Sequence, residues 1–144
     1  MYRNGTLVQI KWDNRLLTAT FSQEVIRVIK EKSNKPFFLY VPWSAPHFPA
    51  DPHPDWHGRS GKNKSGKYTD VVQELDTRIG QILSTLKDTG KEKNTIVIFT
   101  SDNGRQPGQQ GPNDNPSFTV HKWQSLEGGT RVPFIIRYPS KIHA

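Results

Sequence analysis

The stretch that most constrains the fold is residues 94–104, NTIVIFTSDNG. Every residue from position 95 to position 100 is β-branched or aromatic, and turn residues flank the run on both sides. A short apolar run between turn signals predicts a strand that is buried on both faces, as in a parallel sheet. Because open α/β sheets bind ligands beyond the carboxyl ends of their strands, we expect chemistry at the residues that follow.

Asp102 and Asn103 lie at that end and offer a carboxylate and a carboxamide oxygen side by side. Oxygen ligands of this kind are the ones that Ca²⁺ and Mg²⁺ prefer. Gly104 then lets the chain turn away without a Cβ clash. Asp-Asn-Gly is also a common turn sequence, so the residues alone leave a divalent-cation site and a plain turn open.

Two further short strands are predicted, at residues 37–43, FFLYVPW, and at residues 131–138, RVPFIIRY. The first is followed by a loop, a long helical pattern and then the strand of residues 94–104. This order is that of a βαβ unit, which predicts parallel strands and a right-handed crossover. The expected fold class is therefore α/β with a mostly parallel sheet.

Two helices are predicted from apolar residues that recur with helical spacing. The first covers residues 20–32, and Thr20 with Gln23 fits a capping box at its start. The second covers residues 68–89 and ends before Gly90, which suits the position after a helix C-terminus. The apolar stripe of the second helix indicates core packing, not a cofactor site.

His47 lies in the loop that follows the strand at residues 37–43, between two prolines of the sequence SAPHFP. A histidine on a stiff loop after a strand can donate a proton or contact an anion. A single histidine is more often a structural residue, so both interpretations stay open at this point.

The chain has 144 residues, a formal net charge of +7 and no cysteine. The charge suits an anionic partner, and the absence of cysteine excludes a disulfide framework, a cysteine zinc site and a thiol nucleophile within these residues. No apolar run is long enough to span a membrane. The loop at residues 50–67 carries a basic cluster that either meets an anionic substrate or is simply solvated, with solvation the commoner case: Arg59, Lys62, Lys64 and Lys67.

Four blocks together are similar to one family, in the right order and spacing. They are residues 36–49, 68–90, 94–104 and 122–142, and they span nearly the whole chain. The chain resembles the sulfatases, of the arylsulfatase A type, within the alkaline-phosphatase-like superfamily. The resemblance implies a three-layer sandwich around a mostly parallel sheet, of which this chain forms part, and it implies a hydrolase of sulfuric esters.

The resemblance also implies roles for individual residues. Asp102 and Asn103 match the family's ligands of a divalent cation, usually Ca²⁺, with Mg²⁺ as an alternative. His47 and Lys122 match residues that contact the sulfate group. Ester cleavage accumulates negative charge on the sulfate and leaving oxygens, which a metal ion, an ammonium and an imidazole N–H all stabilise. Either His47 or Lys122 could protonate the leaving oxygen.

One departure from the family pattern is equally informative. Sulfatases carry a C/S-x-P-S-R block whose Cys or Ser is oxidised to formylglycine, and these 144 residues contain no such block. We therefore expect residues 1–144 to be the middle section of one catalytic domain, without its N-terminal nucleophile region and C-terminal subdomain. Such a section is expected to bind Ca²⁺ weakly and to hydrolyse no sulfate ester.

Two alternatives remain from the sequence. A phosphatase or phosphonate hydrolase of the same superfamily would reuse the metal ligands with a different nucleophile, and a non-catalytic polyanion-binding domain would use the positive charge. Nucleic acid is not expected, because the basic residues are scattered and no recognition motif is present. The expected partner is a small sulfate ester or a sulfated glycan or lipid, with specificity in the loops at residues 50–67 and 105–121. Sulfatases are often secreted, periplasmic or lysosomal, but no signal peptide indicates a compartment here.

Overall fold

The structure of the protein is a computed structural model that describes residues 1–8, 13–31, 33, 35–61, 66–106 and 121–142. Short 3₁₀ turns at Asn14–Leu16, Pro54–Trp56 and Glu92–Asn94 connect some of the regular elements. In this part of the chain no helix combines the length and the apolar character needed to cross a bilayer. The helices and strands, in chain order, are β1 (Tyr2–Arg3), β2 (Thr6–Leu7), α1 (Leu17–Lys30), α2 (Gly66–Asp88), β3 (Val97–Thr100), α3 (Glu127–Thr130) and β4 (Phe134–Arg137).

Both long helices are confirmed, with shifted ends. Helix α1 begins at Leu17 and its cap residue makes no side-chain hydrogen bond, so the predicted capping box at Thr20 is wrong. The predicted role of Gly90 after the end of α2 is confirmed: Gly90 has a φ of 70°, and the N–H groups of Gly90 and Lys91 donate to the carbonyls of Lys87 (3.0 Å) and Leu86 (2.9 Å). This is the Schellman arrangement, which the left-handed glycine permits.

The core lies between α1 and α2. Val25 and Ile29 of α1 are buried against Ile82 and Leu86 of α2, because the apolar stripes of the two helices face each other. Burying side chains of this size stabilises the fold by about 1.5–3 kcal/mol each. Further apolar residues pack around this cluster from both helices and from the extended segments: Ile26, Leu39, Val41, Trp43, Leu83 and Val97.

The strand pairing differs from the prediction. Strand β3 pairs antiparallel with β4, with Val97 opposite Arg137 and Thr100 opposite Phe134, and β1 pairs antiparallel with β2. Residues 37–43 form no helix or strand and belong to neither of these sheets. They approach the helices through alternate side chains, and Pro42 within them has no N–H to offer a sheet. The predicted mostly parallel three-layer sandwich is therefore not confirmed in the described residues.

The predicted burial of residues 94–104 on both faces is also wrong. Val97 packs on the helical core, whereas Ile96 and Ile98, which point the other way, are 58% and 56% exposed. Successive side chains of a strand alternate between faces, so a single covering layer leaves the second face open. The described residues supply that layer on one side only.

Candidate functional site

The carboxyl end of β3 carries the predicted cation ligands. The side chain of Asp102 is exposed, and that of Asn103 is half-buried. The Asn103 amide nitrogen donates to the carbonyl of Gly104 (2.9 Å), and the Ser101 hydroxyl donates to the carbonyl of Asn103 (3.1 Å). Because Nδ2 of Asn103 is occupied in this way, its Oδ1 is the side-chain atom left to coordinate a cation beside the Asp102 carboxylate.

The segment around α3 packs directly against this strand end. The N–H of Gly104 donates to the carbonyl of Gly129 (2.8 Å), and a Cβ at position 104 would lie 1.9 Å from the carbonyl oxygen of Gly128. A Cβ at position 129 would lie 1.9 Å from the carbonyl oxygen of Gln124. Glycine is therefore required at positions 104 and 129, because the two backbones approach too closely for any side chain.

Lys122 is brought to the same place by its backbone. Its N–H donates to the carbonyl of Arg105 (2.8 Å), and the next residue, Trp123, turns the chain with a φ of 78°. The Lys122 side chain is half-buried. Backbone hydrogen bonds at Gly104 and Arg105 thus join the segment of Lys122 and α3 to the residues that follow Asp102 and Asn103.

His47 is held in a turn, where the Ser44 carbonyl accepts its N–H (2.8 Å) and the Ala45–Pro46 peptide is cis. The His47 Nδ1 lies 2.6 Å from the carbonyl oxygen of Phe48. Since a carbonyl can only accept, Nδ1 carries a proton and the exposed Nε2 is the nitrogen left to meet a substrate. In the described part of the chain no hydrogen bond or ion pair joins His47 to Asp102 or Lys122, so the structure leaves its predicted role untested.

The cation site is partial. Asp102 and Asn103 supply oxygens of the kind that Ca²⁺ takes, but Ca²⁺ takes six to eight of them. Across the described residues no group of three or more His, Asp or Glu side chains is arranged to hold a metal ion. Asp102 and Asn103 therefore have the right chemistry for Ca²⁺ ligands, but they supply only part of the coordination that the ion needs.

Comparison with known proteins settles the family. The Sulfatase family description matches residues 2–144. The chain belongs to the sulfatase family. This confirms the resemblance that was drawn from the four sequence blocks.

Curated sulfatases that resemble the chain come from bacteria and mammals. An N-acetylgalactosamine-6-O-sulfatase of Bacteroides thetaiotaomicron is 35% identical over 91% of the chain, and a steryl-sulfatase of Rattus norvegicus is 32% identical over 95%. These matches cover 27% and 24% of the two relatives, so the chain spans about a quarter of their length.

Solved structures agree in fold. A protein described under glycosaminoglycan metabolism by Bacteroides thetaiotaomicron superposes with a TM-score of 0.79 at 33% identity, over 91% of this chain and 29% of that one. The structure of Ps i-CgsB in complex with k-i-k-neocarrahexaose superposes with a TM-score of 0.72 at 27% identity, over 94% and 30%. The described residues therefore have the backbone arrangement of the corresponding part of a sulfatase.

A second set of polar residues was not predicted from the sequence. Asp70 and Glu74 of α2 are only 2% and 1% exposed. The two Asp70 oxygens accept the N–H groups of Gly58 and Ser60, both at 2.7 Å, and Glu74 accepts the N–H of His53 (2.9 Å). These carboxylates hold residues 53–60, named here the clamped loop, against the helix.

The pKa of Asp70 reflects both its burial and its hydrogen bonds to the clamped loop. Burial by itself would raise the pKa of Asp70, but the hydrogen bonds from Ser60 and Gly58 outweigh it and hold the pKa below its usual value. The sequence did contain a signal for this arrangement. Asp70 and Glu74 are four residues apart and adjoin Val71 and Leu75 of the apolar stripe, so they lie on the buried side of the helix.

Proposed function

We propose that this chain provides the metal-binding and sulfate-binding part of a sulfuric ester hydrolase. The observation that supports the proposal is the pair of backbone contacts, Gly104 to Gly129 and Lys122 to Arg105, which join the segment that carries Lys122 to the residues that follow Asp102 and Asn103. A divalent cation and a lysine ammonium in one site would suit an anionic group such as a sulfate ester, whose negative charge is shared by its oxygens. The family assignment supports the same chemistry.

Each residue has a role in this proposal. Asp102 and Asn103 would help to hold Ca²⁺, or Mg²⁺ in its place. When bound, the ion withdraws charge from the sulfate oxygens. The Lys122 ammonium stabilises the negative charge that develops on those oxygens, and the Nε2 of His47 contacts the sulfate or protonates the leaving oxygen.

The proposed substrate class is a sulfated glycan. Relatives of the chain include an N-acetylgalactosamine-6-O-sulfatase, and a structural neighbour was solved in complex with k-i-k-neocarrahexaose. Turnover also needs the formylglycine nucleophile of the family, and these residues contain no C/S-x-P-S-R block. We therefore expect the chain alone to bind sulfate and not to hydrolyse sulfate esters.

The test is a titration of inorganic sulfate by isothermal calorimetry, with and without Ca²⁺. Lys122→Gln is expected to weaken sulfate binding roughly tenfold, because one charge-assisted contact is lost. Asp102→Asn is expected to remove the enhancement by Ca²⁺. Lys93→Gln, an exposed lysine before β3, is the matched control and is expected to change binding less than twofold.

Two results would contradict the proposal. The first is unchanged sulfate affinity in Lys122→Gln. The second is salt-dependent retention on heparin that survives the combined removal of the Asp102, Asn103 and Lys122 side chains, which would favour a general polyanion binder. Tighter binding of inorganic phosphate than of sulfate would favour a phosphatase of the same superfamily. Turnover of an aryl sulfate by this chain, lost in Asp102→Ala, would refute the expected inactivity.

A further inference from the structure

The clamped loop presents a stacked arginine. The Arg59 guanidinium lies 4.4 Å from the centre of the Trp56 indole ring, and the Arg59 N–H donates to the Trp56 carbonyl (3.3 Å). Arg59 is exposed, whereas Trp56 is half-buried. Stacking on an indole fixes the plane of a guanidinium and leaves its edge, with its fork of N–H donors, free to meet an anion.

This fork has no acidic partner within the described residues. Asp51 is paired with Lys67 (2.7 Å), and Asp70 is occupied by the backbone of the clamped loop. The carboxylate of Asp55 lies beside His53 instead (3.4 Å). The sequence adds no acid at positions 62–65, which read KNKS and contribute positive charge. Among the described residues, the charge of Arg59 is therefore left for a ligand.

The support beneath the pair is rigid. Three backbone N–H groups of the clamped loop donate to the buried carboxylates of Asp70 and Glu74, and Gly58 forms the turn between Trp56 and Arg59 with a φ of 82°. Charge-assisted bonds of this kind are among the stronger ones in proteins. A binding group that is already ordered loses less conformational entropy when the ligand arrives.

We propose that Trp56 and Arg59 form a subsite for a second anionic group of a glycan, separate from the sulfate that is hydrolysed. The proposal rests on the proposed function, because the clamped loop follows the His47 turn in the chain. The guanidinium edge would pair bidentately with a sulfate or a uronate carboxylate on a neighbouring sugar. Asp70 and Glu74 are positioning residues for this subsite.

The test measures binding of fluorescein-labelled chondroitin 6-sulfate hexasaccharide by fluorescence anisotropy, beside an unsulfated chondroitin hexasaccharide of equal length. Arg59→Gln is expected to weaken binding of the sulfated probe roughly tenfold, and Arg59→Lys to recover part of that loss, since lysine keeps the charge without the fork. The matched control is Arg27→Gln on α1, which removes the same charge from another exposed arginine and is expected to have less than a twofold effect. Because Arg59 is exposed, its variants are expected to fold.

The two probes distinguish whether Arg59 binds a sulfate group or a uronate carboxylate. An effect on the sulfated probe alone assigns the subsite to sulfate, and an equal effect on both assigns it to the uronate carboxylate. Equal effects of Arg59→Gln and Arg27→Gln on the sulfated probe would overturn the proposal, because they would show only loss of net charge. An equal loss of inorganic sulfate binding in Arg59→Gln would also overturn it, since the subsite would not be separate. Failure of the proposed function would appear instead as normal sulfate affinity in Lys122→Gln.

Discussion

The carboxylate clamp at Asp70 gives the sharpest stability prediction. Asp70→Ala removes the acceptor of two N–H bonds of 2.7 Å, from Gly58 and Ser60. Each hydrogen bond to a charged group contributes about 1.5–3 kcal/mol. Water can reach the exposed Gly58 amide and replace part of this, so we expect the free energy of unfolding to fall by about 2–4 kcal/mol. Asp76→Ala, on the exposed side of the same helix, should change it by about 0.5 kcal/mol or less.

The effect should depend on pH in a defined direction. The pKa of Asp70 is below its usual 3.8, so the folded protein binds this proton more weakly than the unfolded chain does. The stabilisation is therefore complete above the unfolded pKa and is lost as the pH falls through the folded pKa. In urea unfolding, the difference between the native protein and Asp70→Ala should be constant from about pH 7 to pH 5 and should shrink below about pH 4.

Hydrogen exchange shows where in the chain the loss of the Asp70 hydrogen bonds acts. The amides of Gly58 and Ser60 should lose protection in Asp70→Ala and keep it in Asp76→Ala. The reasoning would be refuted if both variants unfolded at the same urea concentration, or if the stability difference grew as the pH fell.

Three glycines give further predictions from the geometry. Gly104→Ala should lower the free energy of unfolding by about 2–4 kcal/mol, seen in thermal unfolding, because its Cβ would meet the Gly128 carbonyl at 1.9 Å; an unchanged melting temperature would show that the two backbones do not meet. Gly80→Ala, on the exposed face of α2 with nothing within 4 Å, should raise it by about 0.5–1 kcal/mol. Gly90→Ala should lower it by about 1–2 kcal/mol, because an alanine is strained at a φ of 70°; a stabilised variant would argue against the helix end described here.

The helices were predictable because their signals are local. The apolar stripe of α2 and the glycine after it indicate where the helix lies and where it ends, and the structure ends the helix at Asp88, one residue before the predicted end. Strand pairing was not predictable in the same way, since the partner of a strand depends on distant segments. The run at residues 94–104 does form a strand, but it pairs with β4 and not with residues 37–43.

In the candidate site, too, some features have a local signal in the sequence and others depend on contacts between distant segments. The pair Asp102 and Asn103 stands out in the sequence because it lies at the end of an apolar run. The close approach of Gly104 to Gly128 joins residues that are distant in the chain, and only the fold reveals it. The clamp at Asp70 was missed because an acid on a helix is usually solvated. The loop predicted at residues 105–121 lies largely outside the described residues, since positions 107–120 are among those not described.

A crystal structure of the protein grown with calcium and sulfate is the decisive measurement. We predict one sulfate ion within hydrogen-bond distance of both His47 Nε2 and Lys122 Nζ, with a calcium ion bound by the oxygens of Asp102 and Asn103 beside it. A sulfate ion on Lys122 with the His47 ring too distant to reach it, or a calcium ion bound elsewhere, would contradict the proposed site.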